Sequence, residues 1–192
     1  MKTESAVSLL PIYLYGSDVL KQKAARMSEV TDEDIRLIQD MLETMHEANG
    51  IGLAATQVGI LKQLLVIDLS DSDESGEMKP MAIINPEIIA EEGRIEIEEG
   101  CLSIPDIREP VKRPEKITVR FHDTSMTLQE LTAEGMLARV IQHEMDHLNG
   151  ILFIDHLSTA KRTFLKNKLR KISKGEVDID YEFVVDKKKT KR

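Results

Sequence analysis

Hydrophobic positions along this chain follow two different periods, and the places where the period changes divide it into elements. Over about residues 31–49, Ile35, Ile38, Met41, Leu42 and Met45 fall at helical spacing. Thr31, followed three residues later by Asp34, offers a capping pair, because its hydroxyl can accept from a free amide of the first turn. Gly50 stands where a left-handed C-terminal residue is wanted. The segment predicts an amphipathic helix. Residues 64–69 (LLVIDL), 81–84, 88–90, 94–99 and 116–122 (KITVRFH) show alternation or short apolar runs instead and predict strands. Pro105, Pro110 and Pro114 mark loop or edge geometry between the last two. Helical spacing returns over residues 131–148, with Thr132 or a neighbour as cap and Asn149-Gly150 as stop, and again over about 158–174. Near the start, residues 12–15 predict a short strand and 19–27 the beginning of a short helix. One helix, then strands, then helices is the order of an α+β domain with mostly antiparallel strands.

A chain of 192 residues can build one continuous core, expected as a single domain over residues 1–175 with a charged tail at 176–192. Its 41% apolar and 31% charged residues exclude wholesale disorder and fibrous repeats. No apolar run is long enough for a membrane span, and residues 1–10 (MKTESAVSLL) lack the charged-then-apolar order of a signal peptide. A cytoplasmic protein with no membrane partner is expected. The net charge of -8 argues against nucleic-acid binding by the chain as a whole. That charge is uneven, however: residues 161–192 carry +7 and residues 1–160 carry -15. Cys101, the single cysteine, cannot form an internal disulfide.

The chemistry gathers in three places. His143-Glu144-Met145-Asp146-His147 lies in the second long helix, where residues i and i+4 share a face. Both imidazoles can therefore reach one metal ion, and the Glu between them can polarise water there. Gln142 and Asp146 are candidates to hold the outer N–H of a ligating ring. Two histidines still leave a hydrolytic site one ligand short. Cys101, in Glu99-Gly100-Cys101-Leu102-Ser103, is a candidate third. A lone cysteine is more often a small buried hydrophobe, but Gly100 permits close backbone approach and Glu99 adds a carboxylate that can orient a neighbour. The third place is Gly50-Ile51-Gly52-Leu53-Ala54-Ala55-Thr56-Gln57. It lacks the preceding strand, third glycine or Lys-Ser/Thr pair of a nucleotide cradle. Either it is a plain helix cap and loop, or it is a backbone wall beside a substrate, closed by a Gln57 amide able to donate to a developing oxyanion.

Taken together and in this order, GIGLAATQ (50–57), EGCLS (99–103) and QHEMDH (142–147) closely resemble the three signature motifs of bacterial peptide deformylases, and the resemblance spans about residues 10–175. It implies removal of the N-formyl group from the initiator formyl-methionine of nascent polypeptides, with release of formate. It also implies a fold in which antiparallel strands pack around a central helix carrying the HExxH motif, with a further C-terminal helix. By resemblance the metal ligands are Cys101, His143 and His147, Glu144 is the general base and then acid, and Gln57 and the backbone N–H of Leu102 hold the formyl oxygen. Gly52 corresponds to a backbone partner of the substrate peptide, Ile51, Met136, Val140 and His143 to the methionine pocket, and Arg108 to a position near Glu99 or the substrate. The ion implied is Fe(2+), with Zn(2+) or Ni(2+) as substitutes, and a monomer is expected.

Two other readings compete. A zincin-like metallo-endopeptidase would take its third ligand downstream of His147, where His156 is the nearest histidine. A non-catalytic ribosome-associated module with a structural metal would use the basic segment, since residues 158–174 hold seven basic and no acidic side chains and 187–192 (KKKTKR) add five more. The same segment suits an accessory role in which the enzyme docks near the peptide exit. The acidic stretch 70–79, the tail, and the absence of a proline after Ser17 are departures from the family pattern.

Overall fold

The structure, a computed structural model, describes residues 7–72 and 78–186. A short strand β1 (Ile12–Tyr13) precedes helix α1 (Asp32–Glu47), and strands β2 (Gly52–Ala54) and β3 (Leu64–Ile67) follow. Next come β4 (Met81–Glu92), β5 (Ile95–Cys101), β6 (Ile104–Arg113), β7 (Lys116–His122) and β8 (Leu128–Glu134). Helices α2 (Gly135–Leu148) and α3 (Thr159–Ile172) and a last short strand β9 (Phe183–Val184) complete the order. The main sheet runs β2-β3-β4-β7-β8, entirely antiparallel; β5 and β6 form a separate ribbon, and β1 pairs with β9 in parallel. This is the expected α+β architecture, with the HExxH helix at its centre and α3 near the C-terminus.

β3 shows why the sheet lies between two helices. All four of its residues are buried, and they alternate between two cores. Leu65 and Ile67 face α2, packing with Ala138, Val140 and Ile141. Leu64 and Val66 face α1, packing with Ile38, Met41 and Met45. A strand covered on both faces reads as a continuous apolar run, which is what LLVI is. A third core joins Leu165, Leu169 and Ile172 of α3 to Ile104, Ile107 and Val111 of β6. The site described below lies where this ribbon meets α2.

The capping pair at α1 forms in both directions: Asp34 N–H donates to Thr31 Oγ1 at 3.3 Å, and Thr31 N–H donates to Asp34 Oδ2 at 3.0 Å. Thr31→Ala should lower stability by about 1 kcal/mol, read as a shift in denaturant midpoint at constant slope. The left-handed residue ending α1 is Asn49 (φ 55°), one position before the glycine expected there.

Other boundaries differ from the sequence reading. The two short strands expected at 81–84 and 88–90 are one strand, β4, with register shifts on either side of Ile88. The first shift holds Pro86, which has no N–H for the ladder, and Asn85 (φ 52°), whose amide pairs with both backbone groups of Met27. The helix expected from 131 begins at Gly135 instead. Residues 128–134 pair with β7 along their whole length, and Gly135 (φ 58°) turns the chain into α2, so Thr132 is a strand residue and no side chain caps the helix. The helix expected over 19–27 is only a 3-10 turn at Asp18–Lys21, because Ala25 bridges to Lys62 and Met27 to Asn85. The segment 50–57 is more than a cap and loop: Gly52–Ala54 is strand and Ala55–Val58 a 3-10 turn. Residues 176–186, the first part of the expected tail, run along the body and end in β9; the basic run at 187–192 lies outside the described residues.

Candidate metal centre

α2 is buried along most of its length, so its polar residues at 143, 144 and 147 sit inside the protein. His143 and His147 project from one face, with ring centroids 5.0 Å apart. Cys101 is the last residue of β5, where the ribbon turns toward β6, and its Sγ lies 3.2 Å from His147 Nε2. One ligand atom from each of Cys101, His143 and His147 lies within 4.8 Å of the others. A thiol and two imidazoles form a donor set suited to a borderline transition-metal dication. His156, the rival third ligand, is instead 2.7 Å from Asp146 Oδ2.

The surroundings act in opposite directions on the two rings. Burial works against protonation of His143, yet the Cys101 and Glu99 side chains beside it raise its pKa well above the usual range. Burial, and then the charge on His143, lower His147, so the second ring stays neutral. Glu99 Oε2 lies 2.9 Å from His143 Nδ1, which leaves Nε2 as the ring atom that could hold a metal ion. Glu99 itself is fixed by Arg113, at 2.6 and 3.0 Å, and by Arg139 at 2.6 Å. Burial opposes its ionisation, but the His143 and Arg113 bonds prevail and hold it well below the carboxylate range. Asp146, 2.6 Å from Arg113, anchors the far side of this buried network.

A cavity of about 720 Å3 opens on the cluster, lined by Ile51, Gly52, Gln57, Cys101, Leu102, Arg108, Met136, Val140, His143 and Glu144 among others. Gln57, Cys101, Leu102, His143, Glu144 and the substrate-contact candidates Ile51, Gly52, Arg108, Met136 and Val140 therefore meet in one place, and the buried His147 joins them through the cluster with Cys101 and His143. Gln57 has a fixed orientation: its Oε1 accepts from Ala54 N–H at 2.8 Å, so its NH2 faces Ser103 Oγ (3.2 Å) and Cys101 Sγ (3.6 Å). The Glu144 carboxylate sits against Gly52, where an added Cβ would come within 2.6 Å of Oε1. Its Oε2 is buried with no hydrogen-bond partner among the described residues. Burial, the largest influence, raises Glu144 to about 7, near the pH at which a proton shuttle works best.

Several expectations about neighbours are corrected. Arg108 lies over Gly100 and lines the cavity, which keeps the substrate side of its expected position open; the ion-pair partners of Glu99 are Arg113 and Arg139, which sequence reasoning did not single out. Arg139 stands one turn before His143 on α2, among apolar residues, and a charge at an inward position is a signal for a buried carboxylate. Gln142 and Asp146 touch neither ligand ring: Gln142 donates to the carbonyls of Pro114 and Ala138, while Asp146 pairs with Arg113 and His156. Ile179 and Tyr181, also unforeseen, line the cavity.

Comparison with known proteins gives a consistent result. Residues 9–163 match the family model described as polypeptide deformylase. The chain is 49% identical over 184 residues to a peptide deformylase of Salinibacter ruber, covering 92% of this chain and 94% of that protein. Among solved structures it is similar to a peptide deformylase from Legionella pneumophila, with TM-score 0.80, 38% identity, and coverage of 88% of this chain and 98% of that one. It is also similar to the Synechococcus elongatus peptide deformylase solved with actinonin, with TM-score 0.75, 44% identity and coverage of 87% of each chain.

Proposed function

The chain belongs to the polypeptide deformylase family, and from that premise we propose that Cys101, His143 and His147 hold its metal and that Glu144, Gln57 and Leu102 carry its chemistry. The enzyme is a metal-dependent hydrolase that removes the N-formyl group from nascent peptides and releases formate. The observation that carries the assignment of residues is the convergence of one thiol and two imidazoles beside a buried carboxylate that lines the same cavity and has one oxygen without a hydrogen-bond partner among the described residues.

Formamide hydrolysis develops an anion on the formyl oxygen and expels an amine. A dication held by Cys101, His143 and His147 would supply Lewis acidity and would lower the pKa of water toward neutral. Glu144 takes the water's proton and returns it to the departing amine, a role suited to a carboxyl raised by burial to about 7. Gln57 Nε2 and the Leu102 N–H donate to the oxygen as its charge grows; the Ala54 bond keeps the Gln57 amide turned for this task. Ile51, Met136, Val140 and the His143 ring form the apolar side of the cavity, suited to an unbranched methionine side chain, and Gly52 offers backbone to the peptide. Arg108 lines the same cavity. Gly52→Ala should displace the Glu144 carboxylate and lower kcat/KM for a formyl-Met tripeptide about 10- to 100-fold, measured as formate release.

The ion in the cell is Fe(2+), with Zn(2+) or Ni(2+) able to replace it, because a one-thiolate, two-imidazole set accepts all three. Metal analysis of anaerobically purified protein tests this: zinc at full activity with no iron would overturn it. Cys101→Ser tests the ligand set. It should reduce metal content below stoichiometry, whereas retained stoichiometric metal would remove Cys101 from the site.

The catalytic domain acts as a monomer in the cytoplasm, since one chain supplies every residue named and a ligating thiol suits a reducing compartment. Among the described residues no helix is long and apolar enough to cross a membrane. The exposed side of α3, with Arg162, Lys166, Lys168, Arg170 and Lys171, suits ribosomal RNA phosphates near the peptide exit. Deleting α3 would open the core that Leu165, Leu169 and Ile172 fill, so the test is Lys166→Glu with Arg170→Glu. Weaker, less salt-dependent ribosome binding is expected, and unchanged binding would remove the role.

A further inference from the structure

One wall of the cavity comes from a stretch beyond the family match, which ends at residue 163. After α3 the chain reverses at Gly175 (φ 74°) and runs extended. Val177, Ile179 and Tyr181 are half-buried, alternating with exposed Glu176, Asp178, Asp180 and Glu182, the period-two pattern of a strand lying on a surface. Val177 and Ile179 pack on the core of β6 and α3. Two backbone bonds then tie the segment to β1: Ile12 N–H donates to the Glu182 carbonyl and Leu14 N–H to that of Val184, each at 2.9 Å. The strap is thus held at both ends.

Between those ends the Tyr181 hydroxyl donates to the Leu102 carbonyl at 2.7 Å. One residue on, the Ser103 carbonyl accepts from Tyr15 N–H at 2.8 Å. Leu102 and Ser103 form the tight turn between paired Cys101 and Ile104, so segments from the two ends of the chain take both carbonyls of this turn.

We propose that Tyr181 is a positioning residue for deformylation: by holding the Leu102 carbonyl it sets the turn that aims the Leu102 N–H at the formyl oxygen. This rests on the reading of Leu102 as an oxyanion donor. The held carbonyl lies in the 102–103 peptide and the donor N–H in the 101–102 peptide, so fixing the first limits rotation about Leu102 and with it the tilt of the second, and an oxyanion donor loses effect when its N–H swings out of line. Without the phenol, the turn is held by the flanking Cys101–Ile104 pair and by the Tyr15 bond to the Ser103 carbonyl, and the Leu102 carbonyl loses its phenolic partner. Glycines and substrate contacts elsewhere in the site are untouched.

The test is Tyr181→Phe, which keeps the ring in the wall and removes only the hydroxyl. The expected result is a fall in kcat of about five- to tenfold, the range of one hydrogen bond, with KM, metal content and Tm near wild type and faster amide exchange at Leu102 and Ser103. Asp180→Asn, on the outward side, should match wild type. A Tyr181→Phe kcat within twofold of wild type would overturn the proposal, as would a loss that tracks metal content or Tm. Failure of the underlying reading looks different: wild-type enzyme without formate release, or a fully active Glu144→Gln, would remove the site assignment. Inactive Glu144→Gln beside fully active Tyr181→Phe would remove only the positioning role.

Discussion

Glu144→Gln is expected to lower kcat for formate release by about 10^2- to 10^4-fold, the usual contribution of a positioned acid–base group. Glutamine nearly matches glutamate in shape, so it should keep the packing against Gly52 while losing the capacity to carry a proton. Glu144 is buried, and its Oε2 has no hydrogen-bond partner among the described residues, so no neighbour's bond is broken at that oxygen. Metal content and fold should therefore survive. Initial rates and metal analysis on the same anaerobic preparation decide the matter; a rate within tenfold of wild type would mean that the proton travels by another group.

Glu99→Gln should have the largest effect on stability. Glu99, Arg113 and Arg139 are each at most 5% exposed, and one carboxylate answers both guanidiniums and the Nδ1 of His143. Removing the negative charge leaves buried cations short of a partner, a class of change that costs about 3–5 kcal/mol. In a chain of this size that is a fall in Tm on the order of 10 °C. Metal affinity should fall about 10- to 100-fold as well, because the amide no longer fixes the orientation and basicity of His143. Thermal unfolding and metal titration measure the two effects separately. A variant with wild-type Tm would show that Asp146 alone neutralises the arginines, and one with wild-type metal affinity would show that the ring is held by packing.

The elements legible in the sequence are those whose signal is local. The 3.6-residue spacing and the Thr31–Asp34 cap lie within α1 itself, and the alternation Ile117, Val119, Phe121 lies within β7, so both elements fall where the pattern puts them. The start of α2 was not legible. Leu131 and Ala133 suit a strand and a helix equally, and only pairing with β7 and the backbone at Gly135 decide between them. The same division runs through the site. His143, Glu144 and His147 share one helix turn and announce themselves by spacing. The partners of Glu99 do not, since Arg113 and Arg139 arrive from a neighbouring strand and from α2, 14 and 40 residues away. Tyr181 lies 79 residues from Leu102, within a segment whose acidic residues give it the composition of a tail. Its alternate apolar residues were the signal for a covered strand.

The most direct test of the central claim is formate release from a formyl-Met tripeptide by anaerobic, reduced protein, measured before chelation, after chelation and after ferrous iron is restored. The expected result is one formate per free amine, no cleavage of internal peptide bonds, loss of activity with the metal and recovery with iron. Formate release that continues unchanged in the chelated, metal-free protein, or no release with the metal fully loaded, would contradict it.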